Sequence, residues 1–168
     1  VTAHIPELIA DLEAELTTLE QRLEERLAQL EATGSGPSSE AAAAAGAGTS
    51  GDNALLHWHE LMDPLQRLGE RLRWSWGAVS HLNGVCNSPE LREAHAGQQA
   101  AVVSFGNRAG QSRVIYRALQ RLEQQHQKAS EGADGRLDAA QERILAAELR
   151  DMQLRGVGLS GAEQEAFN

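Results

Sequence analysis

The pentapeptide His59-Glu-Leu-Met-Asp63 is where this chain comes nearest to a hydrolytic metal motif. In His-Glu-x-x-His, two imidazoles one helical turn apart hold zinc and the glutamate serves as general base. Here Asp63 takes the second ligand position, and a carboxylate can bind zinc. Two features argue against a site. Pro64 follows at once and disturbs the helical geometry such ligands need. No downstream His or Glu stands at a third-ligand spacing in a convincing context. The stretch reads as polar residues at a helix start.

The other reactive side chains are scattered. His57 and His59 flank Trp58 and do not share a helix face. His81, His95 and His126 fall on different segments and read as structural or surface residues. Cys86, the only cysteine, has no companion that would make it a nucleophile, and a buried or half-buried thiol is expected. Gly156-Val-Gly158 follows a helix and not a strand, so it is no phosphate loop. Trp74 and Trp76 point about 200° apart on a helix. One is expected to face the core and the other a partner or a further domain. No catalytic, cofactor-binding or metal-ligating residue is assigned, and no cofactor is expected within this chain.

Composition narrows the function classes. The chain has 168 residues, the size of one domain, and a net charge of −9. A nucleic-acid binder needs the opposite sign, and an acidic balance also disfavours anionic membranes. The expected partners therefore include no nucleic acid and no membrane. A single cysteine excludes an internal disulfide framework and fits a reducing compartment. No stretch approaches the roughly 18 consecutive apolar residues of a membrane span. Glu7, Asp11 and Glu13 interrupt the first apolar residues, so no signal peptide is read, and an upstream targeting peptide stays open. The start at Val1 reads as a trimmed or cut chain.

The pattern is that of an all-α protein, an antiparallel bundle of about five helices plus the start of a sixth, in a single domain over 1–168. Leu8, Leu12, Leu16, Leu19, Leu23, Leu27 and Leu30 give the first helix, about Thr2 to Ala32, an apolar stripe with a period of ~3.67 residues. Such a stripe is covered by the chain's own helices or forms a homodimeric coil. Residues 33–53, rich in Ala, Gly and Ser, read as a disordered insertion loop. The second helix spans about Ala54 to Val85, with Asp52 and Asn53 as candidate caps and Trp58, Leu61, Leu65, Leu68, Leu72, Trp76, Val79 and Leu82 as its stripe. Pro64 falls inside it, and Asn83-Gly84 is a candidate break. Ser88-Pro-Glu90 starts the third helix, which runs to about Arg108. Gln111 to Lys128 forms the fourth, with Val114, Ile115, Ala118, Leu119 and Leu122 inward. Arg136 to Leu154 forms the fifth, with Leu137, Ala140, Ile144, Leu145, Leu149 and Met152 as its core face. Ser160 and Glu163 have capping-box spacing for a sixth.

Several of these stretches resemble one family. Ala78-Val-Ser-His-Leu-Asn-Gly-Val-Cys-Asn-Ser-Pro-Glu-Leu-Arg-Glu-Ala94 resembles the V-x-H-L-x-x-V-x-x-[ST]-P-E-L-R-x-A segment in the N-terminal helical region of the thimet oligopeptidase and oligopeptidase A family of zinc metallopeptidases. His4-Ile-Pro-Glu-Leu-Ile9 is similar to that family's H-V-x-P-x-I start, and Leu61-Met-Asp-Pro-Leu65 to its L-x-x-P-L. Leu149 to Leu159 resembles a further L-x-G-x-x-L segment. The order agrees along nearly the whole chain, and residues 33–53 depart from it as an insertion.

The resemblance implies helices that wall one side of a deep channel admitting short peptides. It implies zinc only in a catalytic domain elsewhere, because the family's His-Glu-x-x-His does not occur in these residues. The partners it implies are that catalytic domain and short peptides, with a homodimer through an exposed apolar face as a further expectation. The implied location is intracellular, with cytosol, chloroplast and mitochondrion open. Three readings follow: a non-catalytic N-terminal domain of a zinc oligopeptidase, a stand-alone truncated homologue serving as an interaction scaffold, and an unrelated helical protein dimerising through the leucine stripe.

Overall fold

A computed structural model describes residues 4–34, 55–86, 88–130, 133 and 135–159. They form five helices: α1 (Ile5–Gly34), α2 (Trp58–Cys86), α3 (Pro89–Gly110), α4 (Arg113–Lys128) and α5 (Ala139–Leu154). No strand occurs among the described residues, so the expected all-α bundle is what forms.

α1 supplies the largest part of the core. Leu12, Leu16, Leu19, Leu23, Leu27 and Leu30 are all at most 5% exposed. Ile5 and Ile9 extend the stripe, and Leu8 packs on its edge. The stripe lies against α2, α3 and α4. It is covered within the chain and offers no seam for a coiled-coil dimer. The polar sides of α1 are strapped by arginines from the covering helices. Arg108 donates to the Glu13 carbonyl at 3.3 Å, to Thr17 Oγ1 at 2.8 Å and to Glu20 at 3.2 Å. Ser112 Oγ donates to the other Glu20 oxygen at 2.6 Å. Arg117 meets Glu24 and Glu31, and Arg71 meets Glu15.

α2 starts at Trp58, not at Ala54, and the reason is tertiary. Gln125, on α4, binds both polar groups of the Leu56 backbone: its Nε2 donates to the carbonyl at 2.9 Å and its Oε1 accepts the N–H at 3.0 Å. Arg26 donates to the Leu55 carbonyl at 2.7 Å. With their backbone groups committed to α1 and α4, residues 55 and 56 do not enter a helix ladder. The candidate caps Asp52 and Asn53 lie outside the described residues. Beyond the start, α2 runs through Pro64 and through Asn83-Gly84 without a break. Leu61, Leu68 and Val79 are buried as the stripe requires, Met62 joins them, and Leu82 is 36% exposed, off the core.

The remaining boundaries follow capping chemistry. Ser88 Oγ accepts from the Leu91 N–H at 3.2 Å with Pro89 at the first helical position. The Glu90 carboxyl is held below its ordinary value by its own backbone N–H and by the Ser88 hydroxyl. α3 passes Gly106 and ends at Gly110, two residues beyond the expected stop. α5 starts three residues later than its pattern suggests, at Ala139, where Asp138 and Gln141 form a reciprocal capping box. Arg136 caps α4 instead, through the His126 and Ala129 carbonyls at 3.5 and 3.3 Å. Ala140 and Ile144, the latter 37% exposed, face away from the core, while Leu145, Leu149 and Met152 are buried as expected.

α5 ends in a paired lock. Gly156 takes φ +82°, its N–H reaches the Gln153 carbonyl at 3.0 Å, and the Val157 N–H reaches the Met152 carbonyl at 3.2 Å. Buried Val157 closes the motif. Residues 33–34 belong to α1. The rest of the expected insertion loop and the Ser160–Glu163 cap lie outside the described residues.

Two substitutions test this packing. Leu16→Ala, which empties a site at 0% exposure, is expected to cost about 2–5 kcal/mol in urea unfolding. Gln125→Ala strands the Leu56 N–H and C=O and is expected to cost about 2–4 kcal/mol, against less than about 0.5 kcal/mol for exposed Gln124→Ala.

Candidate functional site

The His59–Asp63 stretch sits on the first turns of α2, and its members point to different tasks. His59 and Asp63 are exposed. Glu60 turns back: its Oε2 accepts the His57 N–H at 2.7 Å, and its Oε1 stands 3.3 Å from Arg26 Nε. The glutamate at the general-base position is thus a helix cap and an interhelical ion pair. Three protein ligands are the usual minimum for a hydrolytic zinc, and no group of three His, Cys, Asp or Glu side chains able to hold an ion occurs among the described residues. The described residues at this stretch do not offer the donor set that zinc takes.

The histidines divide by location. The rings of His57 and His59 stack, with centroids 5.6 Å apart and planes 19° apart. Helical phase separates such a pair, but His57 lies before the helix and escapes that phase. His126 is buried, its Nδ1 accepts the Leu137 N–H at 3.1 Å, and its Nε2 lies 3.7 Å from Glu142. It pins the α4–α5 connection. His81 is exposed.

The α2–α3 hairpin brings together one pair that sequence reading left apart. Ser80 Oγ lies 3.2 Å from His95 Nε2, and the His95 ring stacks on Trp76 with centroids 4.5 Å apart. A hydroxyl within reach of an imidazole is the first half of a nucleophilic site. The second half is missing among the described residues, since no carboxylate holds the other ring nitrogen. The pair ties α2 to α3. A signal for it was present: the two residues lie at nearly equal distances from Ser88, the cap that opens α3. Trp76 faces α3 while Trp74 is 73% exposed, as their opposed directions require. Cys86 is exposed, not buried, because it ends α2 at the hairpin tip where no helix covers it.

Between α2, α3 and α5 lies a groove of about 600 Å³. Met62, Leu72, Phe105 and Met152 contribute its apolar lining, and Glu70, Glu148, Asp151, Arg73 and Arg155 its charges. Burial holds the Glu148 carboxyl above its ordinary value, neighbouring Asp151 adds to this, and Arg155 opposes it. Arg155 also donates to the Gly106 carbonyl at 3.4 Å, and it fills the space that a Cβ on Gly110 would occupy. The groove can receive an apolar side chain beside a carboxyl, and its lining contains no serine, threonine, cysteine, histidine or lysine.

A pH measurement tests the groove. A carboxyl raised in the fold contributes stability below the ordinary glutamate value of 4.5 that is lost as pH climbs through the higher folded value. Glu148→Gln is therefore expected to raise the Tm at pH 7 by about 1–3 °C relative to the native chain, with no gain at pH 4, in paired thermal melts.

The sequence model describing the N-terminal domain of neurolysin and thimet oligopeptidase matches residues 52–164. Organellar oligopeptidase A, chloroplastic/mitochondrial, of Arabidopsis thaliana is 33% identical over 111 residues, covering 66% of this chain and 13% of the relative. The probable cytosolic oligopeptidase A of the same plant is 33% identical over 111 residues, 66% of this chain and 15% of its own length. Oligopeptidase A of Escherichia coli is 33% identical over 110 residues, again 66% of this chain and 15% of the relative. The chain thus spans only 13–15% of the length of these relatives. No helix of the described residues is long and apolar enough to cross a membrane. The reading as an unrelated helical protein falls with these matches. Both the helices and the matched residues place the chain in one group: it belongs to the family of neurolysin/thimet oligopeptidase N-terminal domains.

Proposed function

We propose that this chain is the non-catalytic, channel-wall domain of a zinc-dependent oligopeptidase that degrades short peptides. One observation carries the reading: a chain that matches a family's N-terminal domain commits Glu60, Ser80, His95 and His126 to structural contacts. Glu60 caps α2, His126 pins α5, and Ser80 and His95 join a hairpin. A channel wall needs rigid helices and no chemistry of its own. Depth then selects substrate, because a short flexible peptide enters a narrow channel and a folded protein does not. The zinc and its ligands belong to the catalytic part of the longer chain, and the −9 charge argues against a nucleic-acid partner. The compartment is intracellular, in the cytosol or in an organelle, as the names of the relatives suggest.

The purified chain, supplied with zinc, is expected to leave a short quenched-fluorescent peptide uncut. Chelator-sensitive cleavage that follows the protein through every purification step, and disappears with Glu60→Gln, would overturn the proposal.

A further inference from the structure

The groove between α2, α3 and α5 combines an apolar floor with one charge left without a pair among the described residues. Met62, Phe105, Ile115 and Met152 line it, each at most 4% exposed, and partly buried Leu65 and Leu72 stand beside them. Its charged groups come from two helices: Glu70 and Arg73 on α2, Glu148 and Asp151 on α5, and Arg155 at the α5 C-cap. α3 and α4 contribute no titratable side chain to the lining.

Four of these five charges already have partners. Arg73 Nη2 lies 3.6 Å from Glu70 Oε1, and Arg150 Nε lies 3.7 Å from Asp151 Oδ1. Arg155 donates to the Gly106 carbonyl at 3.4 Å. Glu148 differs: among the described residues no hydrogen bond or ion pair reaches its carboxylate. Arg155 eases its charge from longer range, while burial and Asp151 both oppose ionisation. The half-buried carboxylate thus carries a cost that a cation arriving in the groove removes.

We infer that this groove binds the arginine side chain of a short peptide, with its methylene stem on the apolar floor and its guanidinium on the Glu148 carboxylate. Each part of that side chain meets what the groove offers. Three methylenes match the floor, and a planar guanidinium gives a carboxylate two parallel hydrogen bonds. Guanidinium is also less strongly hydrated than an ammonium, so it enters a half-buried site at lower cost. An anionic ligand finds both lining arginines engaged, and a wholly apolar one would bury Glu148 further without compensation. The −9 charge of the chain draws cations toward it. That the ligand is a peptide rests on the proposed function; the unpaired carboxylate does not.

The chain carries its own probes. Its two methionines, Met62 and Met152, both line the groove, so labelling methionine methyl groups with carbon-13 yields two NMR signals that report on this site. At pH 7, acetyl-Leu-Arg-Leu-amide is expected to shift both signals saturably. The citrulline analogue, which keeps the stem and lacks the charge, is expected to bind at least about fivefold more weakly. Glu148→Gln is expected to bring the arginine peptide down to the citrulline level, although the same change is expected to raise the Tm at pH 7. Exposed Glu93→Gln, which removes the same charge outside the groove, is expected to leave the affinity unchanged. Equal affinity for the two peptides, an unchanged affinity in Glu148→Gln, or no saturable shift at millimolar peptide would each overturn the inference. None of these results touches the channel-wall reading, which fails instead if the isolated chain cleaves peptide.

Discussion

Burial of the α1 leucine stripe is the interaction on which the other helices depend. A helix of 30 residues with a continuous apolar edge cannot remain folded as a monomer in water unless that edge is covered. Here α2, α3 and α4 together provide the cover. Each of them buries only part of its own apolar face against α1 and relies on the others for the rest. The arginines that cross to Glu15, Glu20, Glu24 and Glu31 add little individually, since exposed ion pairs contribute at most about 1 kcal/mol. Their effect is orientation: they fix which side of α1 meets which helix. Arg108 does most of this, because it binds a carbonyl, a hydroxyl and a carboxylate of α1 at once.

Polar side chains then set the boundaries that leucines cannot set. Gln125 reproduces with one amide the pairing a neighbouring strand would give Leu56. His126 does the corresponding work for Leu137, and Arg136 closes the end of α4. Gln125 and His126 are buried, so leaving their partners unmet would be expensive. The consequence for function is direct. Glutamate, histidine and serine are the materials of hydrolysis, yet Glu60, His126, Ser80 and His95 are engaged in structural contacts here.

Much of the fold could be read from the sequence. The leucine spacing announced α1 and its buried edge, Ser88-Pro-Glu90 announced the start of α3, and the glycines after Leu154 announced the end of α5. These signals are local: a period of 3.6 residues, a side-chain oxygen at a cap, a residue that tolerates positive φ. The family motif was legible for the same reason, as a run of residue types in order.

What sequence did not decide were the features that depend on a second helix. The start of α2 moved to Trp58 because α1 and α4 hold residues 55 and 56. Ile144 and Leu82 lost the core because facing helices lie elsewhere. Ser80 met His95, and Cys86 came to the surface, through the geometry of one hairpin. The uncharged stretch between Arg73 and Glu90 shows the division well. Its composition was fixed in the chain order, but only packing decided which of those residues were spent on the interior and which were left outward. Periodicity assigns a residue to a face of its own helix; only the positions of the other helices determine whether that face meets protein or water.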